Sequence, residues 1–128
     1  MHNLSASSQD YLEALLELSV YGEAIRSVDL ANKMQVTRAS ITKAIKVLKA
    51  AGYIQQERYS DIYLTPLGIQ AAESVRHRHK ILKLFLTEIL GVDEEISDLD
   101  ACKMEHSISP QTLEKLCTFV NATLKKDS

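Results

Sequence analysis

The sequence has few of the features that mark membrane and secreted proteins. No apolar run in its 128 residues reaches the roughly 18 needed to cross a bilayer. The opening Met-His-Asn-Leu-Ser-Ala has neither the basic nor the apolar region of a signal peptide. We therefore expect a cytoplasmic protein with no membrane partner. Its two cysteines, Cys102 and Cys117, are then expected to be free thiols or metal ligands rather than a disulfide.

The sequence also lacks the usual marks of an enzyme. It has no glycine-rich loop and no nucleophile with a base at a suitable spacing. A small metallohydrolase with Glu105 as its base is the remaining catalytic alternative, and a fully ligated ion would leave it little room for a substrate. Hydrophobic residues make up 45% and charged residues 25%, which is typical of a globular domain and excludes disorder.

The charge is unevenly distributed along the chain. Between Arg26 and Arg58 there are seven basic side chains and two acidic ones, whereas between Glu88 and Glu105 there are seven acidic side chains and one basic one. A nucleic-acid-binding module followed by a cation-binding module would have this pattern, although a solvated charge run explains either half by itself.

The basic half has the pattern of a helix-turn-helix. A first helix is predicted from Gln9 to about Val20, with Ser7 or Ser8 as its N-cap and Gly22 as its end. Ser27 is expected to cap a short helix through Met34. After a turn at Gln35-Val36, Thr37 is expected to cap a basic helix from Arg38 to about Ala51, closed by Gly52.

A β-hairpin is predicted to follow the two helices. Residues 53–58 alternate like a strand, 59–61 form a turn, and 62–64 return. This order predicts a winged helix. The candidate DNA-contact residues are those at the start of the basic helix, along its exposed side and in the wing: Arg38, Ala39, Ser40, Thr42, Lys43, Lys46, Lys49, Arg58 and Tyr59.

The second half is predicted to be helical. Thr65-Pro66 begins a helix of about 25 residues that ends at Gly91; Asp93 and Ser109-Pro110 begin two more. Their apolar residues exceed what two short helices need, which indicates a homodimer interface. We thus expect a mainly α protein with a small β-hairpin, composed of a winged helix-turn-helix domain over residues 1–66 and a helical dimerisation domain over residues 67–128.

One segment of the acidic half has the spacing of metal ligands. Cys102, Glu105 and His106 would lie on one face of a helix, where they present a thiolate, a carboxylate and an imidazole. A transition ion would need further ligands from elsewhere in the chain. A helix with one buried cysteine and a polar rim is the alternative interpretation.

Together these segments resemble the diphtheria toxin repressor and manganese transport regulator family of metal-dependent repressors. The similar segments are residues 9–14, 36–43, 63–68, 78–80, 85–86 and 90–95, together with the Cys-x-x-Glu-His cluster. The resemblance implies a winged-helix domain, a helical dimerisation domain, and a divalent metal as co-repressor for binding to double-stranded operator DNA. The end of the chain resembles the short form without an appended SH3-like domain.

The resemblance also implies a ligand set. By position it places Asp10, Glu13, His79, Cys102, Glu105 and His106 at metal-ligand positions. The pair Asp10 and Glu13 is of the manganese type, whereas Cys102 is of the iron type, and Lys83 replaces an acidic ligand of a second, ancillary site. From the donor types we expect Fe²⁺, with Mn²⁺ as the alternative and Zn²⁺ or Co²⁺ able to bind in vitro.

The expected mechanism is that metal binding links the first helix to the dimerisation domain. It thereby sets the spacing, in a dimer, of the two recognition helices, which are the basic helices that begin at Arg38. Metal-uptake genes are the expected targets of the repressor. The alternative is a winged-helix regulator that senses redox state through Cys102, or an organic ligand, rather than a metal.

Overall fold

The computed structural model describes residues 4–19, 23–58 and 61–126. The chain divides into two compact units, residues 1–75 and residues 76–128, and the division falls inside the fourth helix. Within the described ranges, none of the helices combines the length and apolar character that crossing a membrane requires.

Six α-helices, one π-helical turn and one two-stranded hairpin make up the described chain, which confirms the predicted mainly α fold with a small β-hairpin. In order they are α1 (Ala6–Leu18), α2 (Ser27–Met34), α3 (Arg38–Ala50), β1 (Ile54–Arg58), β2 (Asp61–Leu64), α4 (Pro66–Leu84), the π-helical turn (Phe85–Ile89), α5 (Glu94–Ser107) and α6 (Pro110–Lys126).

The starts of the first two helices differ from the prediction. Ser5, rather than Ser7 or Ser8, caps α1, and its hydroxyl accepts a hydrogen bond from the Ser8 amide at 3.0 Å. The helix ends at Leu18 rather than near Val20, and the predicted stop at Gly22 lies outside the described residues. Ser27 is the first residue of α2 rather than its cap; Arg26 takes the cap position without a side-chain hydrogen bond.

The recognition helix α3 is built as predicted. Thr37 caps it, because its Oγ1 accepts a hydrogen bond from the Ser40 amide at 3.1 Å. Gly52 follows the helix with φ = 86°, a left-handed conformation that only glycine adopts without strain. The turn before α3 places Gln35 at φ = 55°, which reverses the chain between α2 and α3.

The hairpin strands pair antiparallel, with Ile54 opposite Leu64 and Gln56 opposite Ile62. A register shift between Gln56 and Arg58 marks a bulge, and Asp61 belongs to β2 rather than to the predicted turn. Ile25, before α2, adds a further antiparallel bridge to Ile62 through two hydrogen bonds of 2.8 and 2.9 Å. This bridge anchors the hairpin to the helix-turn-helix, and the sequence pattern did not predict it.

Hydrogen bonds of Thr65 connect the start of α4 to the residue that follows the C-cap of α3. The Thr65 hydroxyl accepts from the Gly68 amide at 3.0 Å and donates to the Gly52 carbonyl at 2.7 Å. A Cβ atom on Gly68 would overlap the Tyr53 carbonyl oxygen, so the close approach of backbone to backbone requires glycine here.

The N-terminal unit has one apolar core, to which α1, α2, α3, the bridge residue, both strands and the first part of α4 contribute. Its buried residues are Tyr11, Leu12, Ala14, Leu15, Ile25, Leu30, Ile41, Ile45, Leu48, Ile54, Ile62 and Ala72. The buried stripe of α3 leaves the basic side chains of that helix on its outer face.

The predicted single helix from Pro66 to Gly91 is helical as far as Ile89, but it is not α-helical throughout. The α-helix ends at Leu84, and the chain widens into the π-helical turn, in which the Leu90 amide bonds to the Phe85 carbonyl at 3.1 Å, five residues back. The wider turn accommodates one extra residue, and the absence of a stop signal before Gly91, on which the single helix was predicted, does not reveal it. Gly91 follows with φ = 74°.

The C-terminal unit has a smaller core, where the end of α4 and the π-helical turn pack against α5 and α6. Leu82, Leu86 and Ala101 are buried at its centre, and Leu113 and Leu116 of α6 cover them. This packing presents one face of α5 toward α4.

Candidate metal centre and nucleic-acid interface

Three potential metal ligands meet on α5. Cys102, Glu105 and His106 stand three and four positions apart, so the helix brings them to one face as the spacing predicted. Each offers one ligand atom, a sulfur, an oxygen and a nitrogen, and these three atoms lie within 4.8 Å of one another. Cys102 and His106 are half-buried and Glu105 is buried.

Glu105 is the unusual member of the group. Its side chain has no exposed surface, and its Oε1 lies 3.5 Å from Nδ1 of His79 and 3.8 Å from Nε2 of His106. Burial of a carboxylate is costly unless positive charge or hydrogen bonds compensate for it. A buried carboxylate between two imidazoles and a thiol is therefore a site suited to a cation.

His79 lies at the edge of this group. Besides the contact with Glu105, its Nε2 forms a 2.8 Å hydrogen bond with Oδ1 of Asp98. Because Nε2 is bonded to Asp98, the other ring nitrogen, Nδ1, faces Glu105. His77, two residues earlier on α4, instead contacts Sγ of Cys117 through Nε2 at 3.5 Å. The two histidines therefore have different neighbours.

Asp10 and Glu13 lie on α1 in the N-terminal unit. They are three residues apart, both are half-buried, and they share one side of the helix. Because α1 begins at Ala6, neither lies in its first turn, where an acidic side chain would be explained by the helix dipole alone. Their part in a metal site stays a prediction.

The donor set of α5 fits a first-row transition ion. Thiolate sulfur and imidazole nitrogen are donors for iron, cobalt and zinc, and carboxylate oxygen suits manganese as well. The residues therefore fit the metal that the resemblance implies, and they do not by themselves select one metal.

Asp98 is a residue of this region that sequence reasoning did not single out, and Lys83, noted only as the replacement of an acidic ligand of an ancillary site, contacts it. Lys83 Nζ lies 3.7 Å from Oδ1 of Asp98 and 3.5 Å from Oε1 of Glu94. The hydrogen bond from His79, more than the nearby charges, lowers the pKa of Asp98 from its usual 3.8. Its place four residues before Cys102, on the same helix face, is the signal that could have identified Asp98.

The candidate DNA-contact residues of α3 lie on its solvent side. All of those on the helix are exposed: Arg38, Ala39, Ser40, Thr42, Lys43, Lys46 and Lys49. The Ser40 hydroxyl accepts a hydrogen bond from Thr37 Oγ1 at 3.0 Å, and the Thr42 hydroxyl donates one to the Arg38 carbonyl at 3.0 Å. The Arg58 side chain and Tyr59 at the wing tip lie outside the described residues.

The groove between α2 and α3 adds a residue that the sequence pattern did not indicate. Arg26 lines it together with Val28, Arg38 and Thr42. Arg26 is exposed and occupies the cap position of α2. A guanidinium at the start of one helix and another at the start of the next suit contacts with a phosphate backbone.

Comparison with known proteins matches the two parts of the chain to two different family domains. A family model described as "Iron dependent repressor, N-terminal DNA binding domain" matches residues 3–62. A second, described as "Iron dependent repressor, metal binding and dimerisation domain", matches residues 65–126.

Individual relatives point the same way. An uncharacterised HTH-type transcriptional regulator of Methanocaldococcus jannaschii is 36% identical over 118 residues, which are 91% of this chain and 94% of the relative. The transcriptional regulator MntR of Salmonella typhimurium is 36% identical over 110 residues, 86% of this chain and 69% of the relative. The crystal structure of ScaR with bound Zn²⁺ superimposes with a TM-score of 0.78 at 27% identity, over 89% of this chain; the match spans about half, 53%, of the ScaR chain.

Proposed function

Because this chain belongs to the diphtheria toxin repressor and manganese transport regulator family of metal-dependent transcriptional regulators, we propose that it is a repressor with Fe²⁺ or Mn²⁺ as its co-repressor. The family consists of DNA-binding regulators, not enzymes. The observation that carries the proposal is the meeting of Cys102, Glu105 and His106, with the Glu105 carboxylate fully buried.

The full ligand set that we propose comprises Asp10, Glu13, His79, Cys102, Glu105 and His106. The last three supply the α5 part, and Nδ1 of His79 adds an imidazole from α4. Asp10 and Glu13 would supply carboxylates from α1, in the domain proposed for residues 1–66, whereas the other ligands belong to the domain proposed for residues 67–128. Ligands from both domains would make metal binding sensitive to their arrangement.

Fe²⁺ is the metal that we favour, since the Cys102 thiolate is a softer ligand than Mn²⁺ prefers. Mn²⁺ is the alternative, supported by the 36% identity with a regulator named MntR. Zn²⁺ and Co²⁺ are expected to bind in vitro because affinity rises along the first-row series.

The proposed switch follows from the charges of the ligands. A bound divalent ion supplies the positive charge that lets a thiolate and several carboxylates share one pocket. Without it, the acidic side chains repel one another, so α1 and α5 are free to separate. With their charges neutralised, the ligands fix α1 to the dimerisation domain and set the distance between the recognition helices of a dimer.

The proposed DNA contacts follow the exposed side of α3. Arg38, Ser40, Thr42 and Lys43 are placed at the start of the helix for base edges and nearby phosphates, and Lys46 is placed for phosphates. Double-stranded operator DNA upstream of metal-uptake genes is the proposed target, and the cytoplasm is the proposed location.

A homodimer of this chain is part of the proposal. Dimerisation is a property of the family domain that matches residues 65–126. In the C-terminal unit, four large apolar side chains remain more than half exposed: Leu90, Ile96, Leu99 and Phe119. Such side chains are usually covered in an assembly, which supports an interface formed by this unit.

The test is DNA binding in anaerobic buffer at fixed salt, with promoter fragments upstream of metal-transport genes of the source organism. Fe²⁺ and Mn²⁺ are titrated separately, and a fragment from within a coding region serves as the non-specific competitor. We expect binding to the promoter to require metal and to be lost in His106→Ala, while His77→Ala, a matched histidine outside the group, behaves as wild type.

A second pair of variants separates metal sensing from thiol sensing. Cys102→Ser is expected to weaken the metal response, and Cys117→Ser is the matched control. Promoter binding that is equal in chelator and in metal would refute the co-repressor proposal. A response to peroxide that depends on Cys102 and needs no metal would support the redox-sensing regulator instead.

A further inference from the structure

His79 lies between two carboxylates of the neighbouring helix α5. Its Nε2 is 2.8 Å from Oδ1 of Asp98, and its Nδ1 is 3.5 Å from Oε1 of Glu105. Asp98 and Glu105 are seven residues apart, about two helical turns, and so lie on one face of α5. Each ring nitrogen of His79 therefore faces a different carboxylate.

The two contacts are unequal. A distance of 2.8 Å is that of a charge-assisted hydrogen bond, whereas 3.5 Å exceeds the usual range for nitrogen and oxygen. The Asp98 side chain is 56% exposed, and the Glu105 side chain is not exposed at all. Asp98 thus holds the ring from the solvent side, and Nδ1 is directed toward the buried side where Glu105 lies.

Lys83 keeps the Asp98 carboxylate in place. It stands one turn after His79 on α4, and its Nζ lies 3.7 Å from the same Oδ1 atom that binds His79. The Oδ1 atom of a carboxylate accepts hydrogen bonds, so at 2.8 Å Nε2–H of His79 is the donor to Asp98.

We infer that Asp98 is a positioning residue for His79: it accepts the Nε2–H hydrogen bond and directs Nδ1 toward Glu105, where Nδ1 would serve as a metal ligand. The inference rests on the proposed function, because it gives His79 the task of a ligand. A carboxylate behind a ligating histidine fixes the tautomer and the orientation of the ring and raises its basicity. Lys83 supports the pair by holding Asp98.

The first test measures metal affinity with CoCl₂ as the probe, followed by the visible absorption of thiolate-ligated Co²⁺. Asp98→Ala removes the acceptor and is expected to weaken Co²⁺ binding about 10- to 100-fold. Asp98→Asn retains an acceptor oxygen without the charge and is expected to lose less. Asp100→Ala, which removes the same charge from the same helix, is the matched control and is expected to bind as wild type does.

The second test reads the tautomer in metal-free protein. Long-range ¹H–¹⁵N correlation spectra, recorded at a pH at which the imidazole is neutral, should identify His79 in wild type as the tautomer with the proton on Nε2, assigned by comparison with His79→Gln. In Asp98→Ala, the same ring should become a mixture of both tautomers. A merely structural role of Asp98 would leave the tautomer unchanged, so this measurement separates positioning from general destabilisation.

The outcomes distinguish the two proposals. If wild type binds Co²⁺ and His106→Ala does not, but Asp98→Ala and Asp98→Asn bind as wild type does, the positioning inference is overturned and the proposed function stands. If wild type itself does not bind Co²⁺, both are overturned. If far-UV circular dichroism shows that Asp98→Ala is unfolded, Asp98→Asn replaces it as the deciding variant. A wild-type Co²⁺ affinity together with a wild-type His79 tautomer in Asp98→Asn would then overturn the inference.

Discussion

Glu105→Gln should have opposite effects on the metal-free and metal-bound protein. The wild-type carboxylate is fully buried, and imidazole nitrogens of His79 and His106 lie 3.5 and 3.8 Å from its Oε1 atom. Burying a charged carboxylate away from water costs several kcal/mol of folding free energy. A neutral amide of the same shape avoids most of that cost. We therefore expect metal-free Glu105→Gln to be at least as stable as wild type.

The metal-bound protein should respond in the other direction. A ligand present at 100 times its dissociation constant stabilises the folded state by about 2.7 kcal/mol. For a chain of this length, that corresponds to an increase in Tm of roughly 8–13 °C. Since an amide is a poor substitute for a carboxylate ligand, Glu105→Gln should lose most of this increase.

The assay is thermal unfolding followed by circular dichroism, in chelator and at saturating Mn²⁺. Glu114→Gln, an exposed position on α6, is the matched control and should retain the full metal-dependent shift. The reasoning is refuted if Glu105→Gln keeps the wild-type shift, or if the metal-free variant is less stable than wild type by about 2 kcal/mol or more, a loss typical of a broken buried contact.

Three further predictions concern other parts of the molecule. Gly68→Ala should lower the free energy of unfolding by about 1–3 kcal/mol or more, since its Cβ would overlap the Tyr53 carbonyl; an unchanged urea midpoint would contradict the packing at the start of α4. Lys46→Ala should weaken binding to all DNA sequences alike and reduce the slope of log K against log salt by about 1, whereas a change in preference for one sequence would assign it a base contact. The pKa of the Asp98 carboxyl is lowered from its usual 3.8 in the folded state, so the ionised side chain should stabilise the metal-free protein at pH values above 3.8. This contribution should be lost as the pH falls through the lowered pKa. The difference in unfolding free energy between wild type and Asp98→Asn should be about 1 kcal/mol or less, because Asp98 is so exposed. This difference should decrease as the pH is lowered from about 5 to about 3, and an increase would contradict the prediction.

Local signals were sufficient for the recognition helix. Thr37 as its cap and Gly52 after its end agree with the structure, and Ile41, Ile45 and Leu48 are buried at helical spacing. These features depend only on neighbours within one or two helical turns. The hydrogen-bonding capacity of a side chain and the periodicity of apolar residues can therefore be deduced from the sequence alone.

Where several local signals competed, the sequence was less informative. Ser5, Ser7 and Ser8 are all acceptable caps, and the choice of Ser5 for α1 could not be read from their chemistry. The π-helical turn at 85–89 has no punctuating residue inside it, so an unbroken helix was the natural prediction. The Ile25 bridge to the hairpin joins residues 37 positions apart, and an isolated pair leaves no period to detect.

The sequence by itself determined which chemistry is available: a thiol, a carboxylate and an imidazole on one face of a helix, and a basic helix behind a short turn. Helical spacing fixes such neighbours regardless of the rest of the fold. Tertiary structure alone decided that Glu105 is buried and that Asp98 holds His79, because both depend on how α4 packs against α5. Which side chains share a helix face is a property of the local backbone, whereas the partner across a helix interface is chosen by the packing of the whole unit.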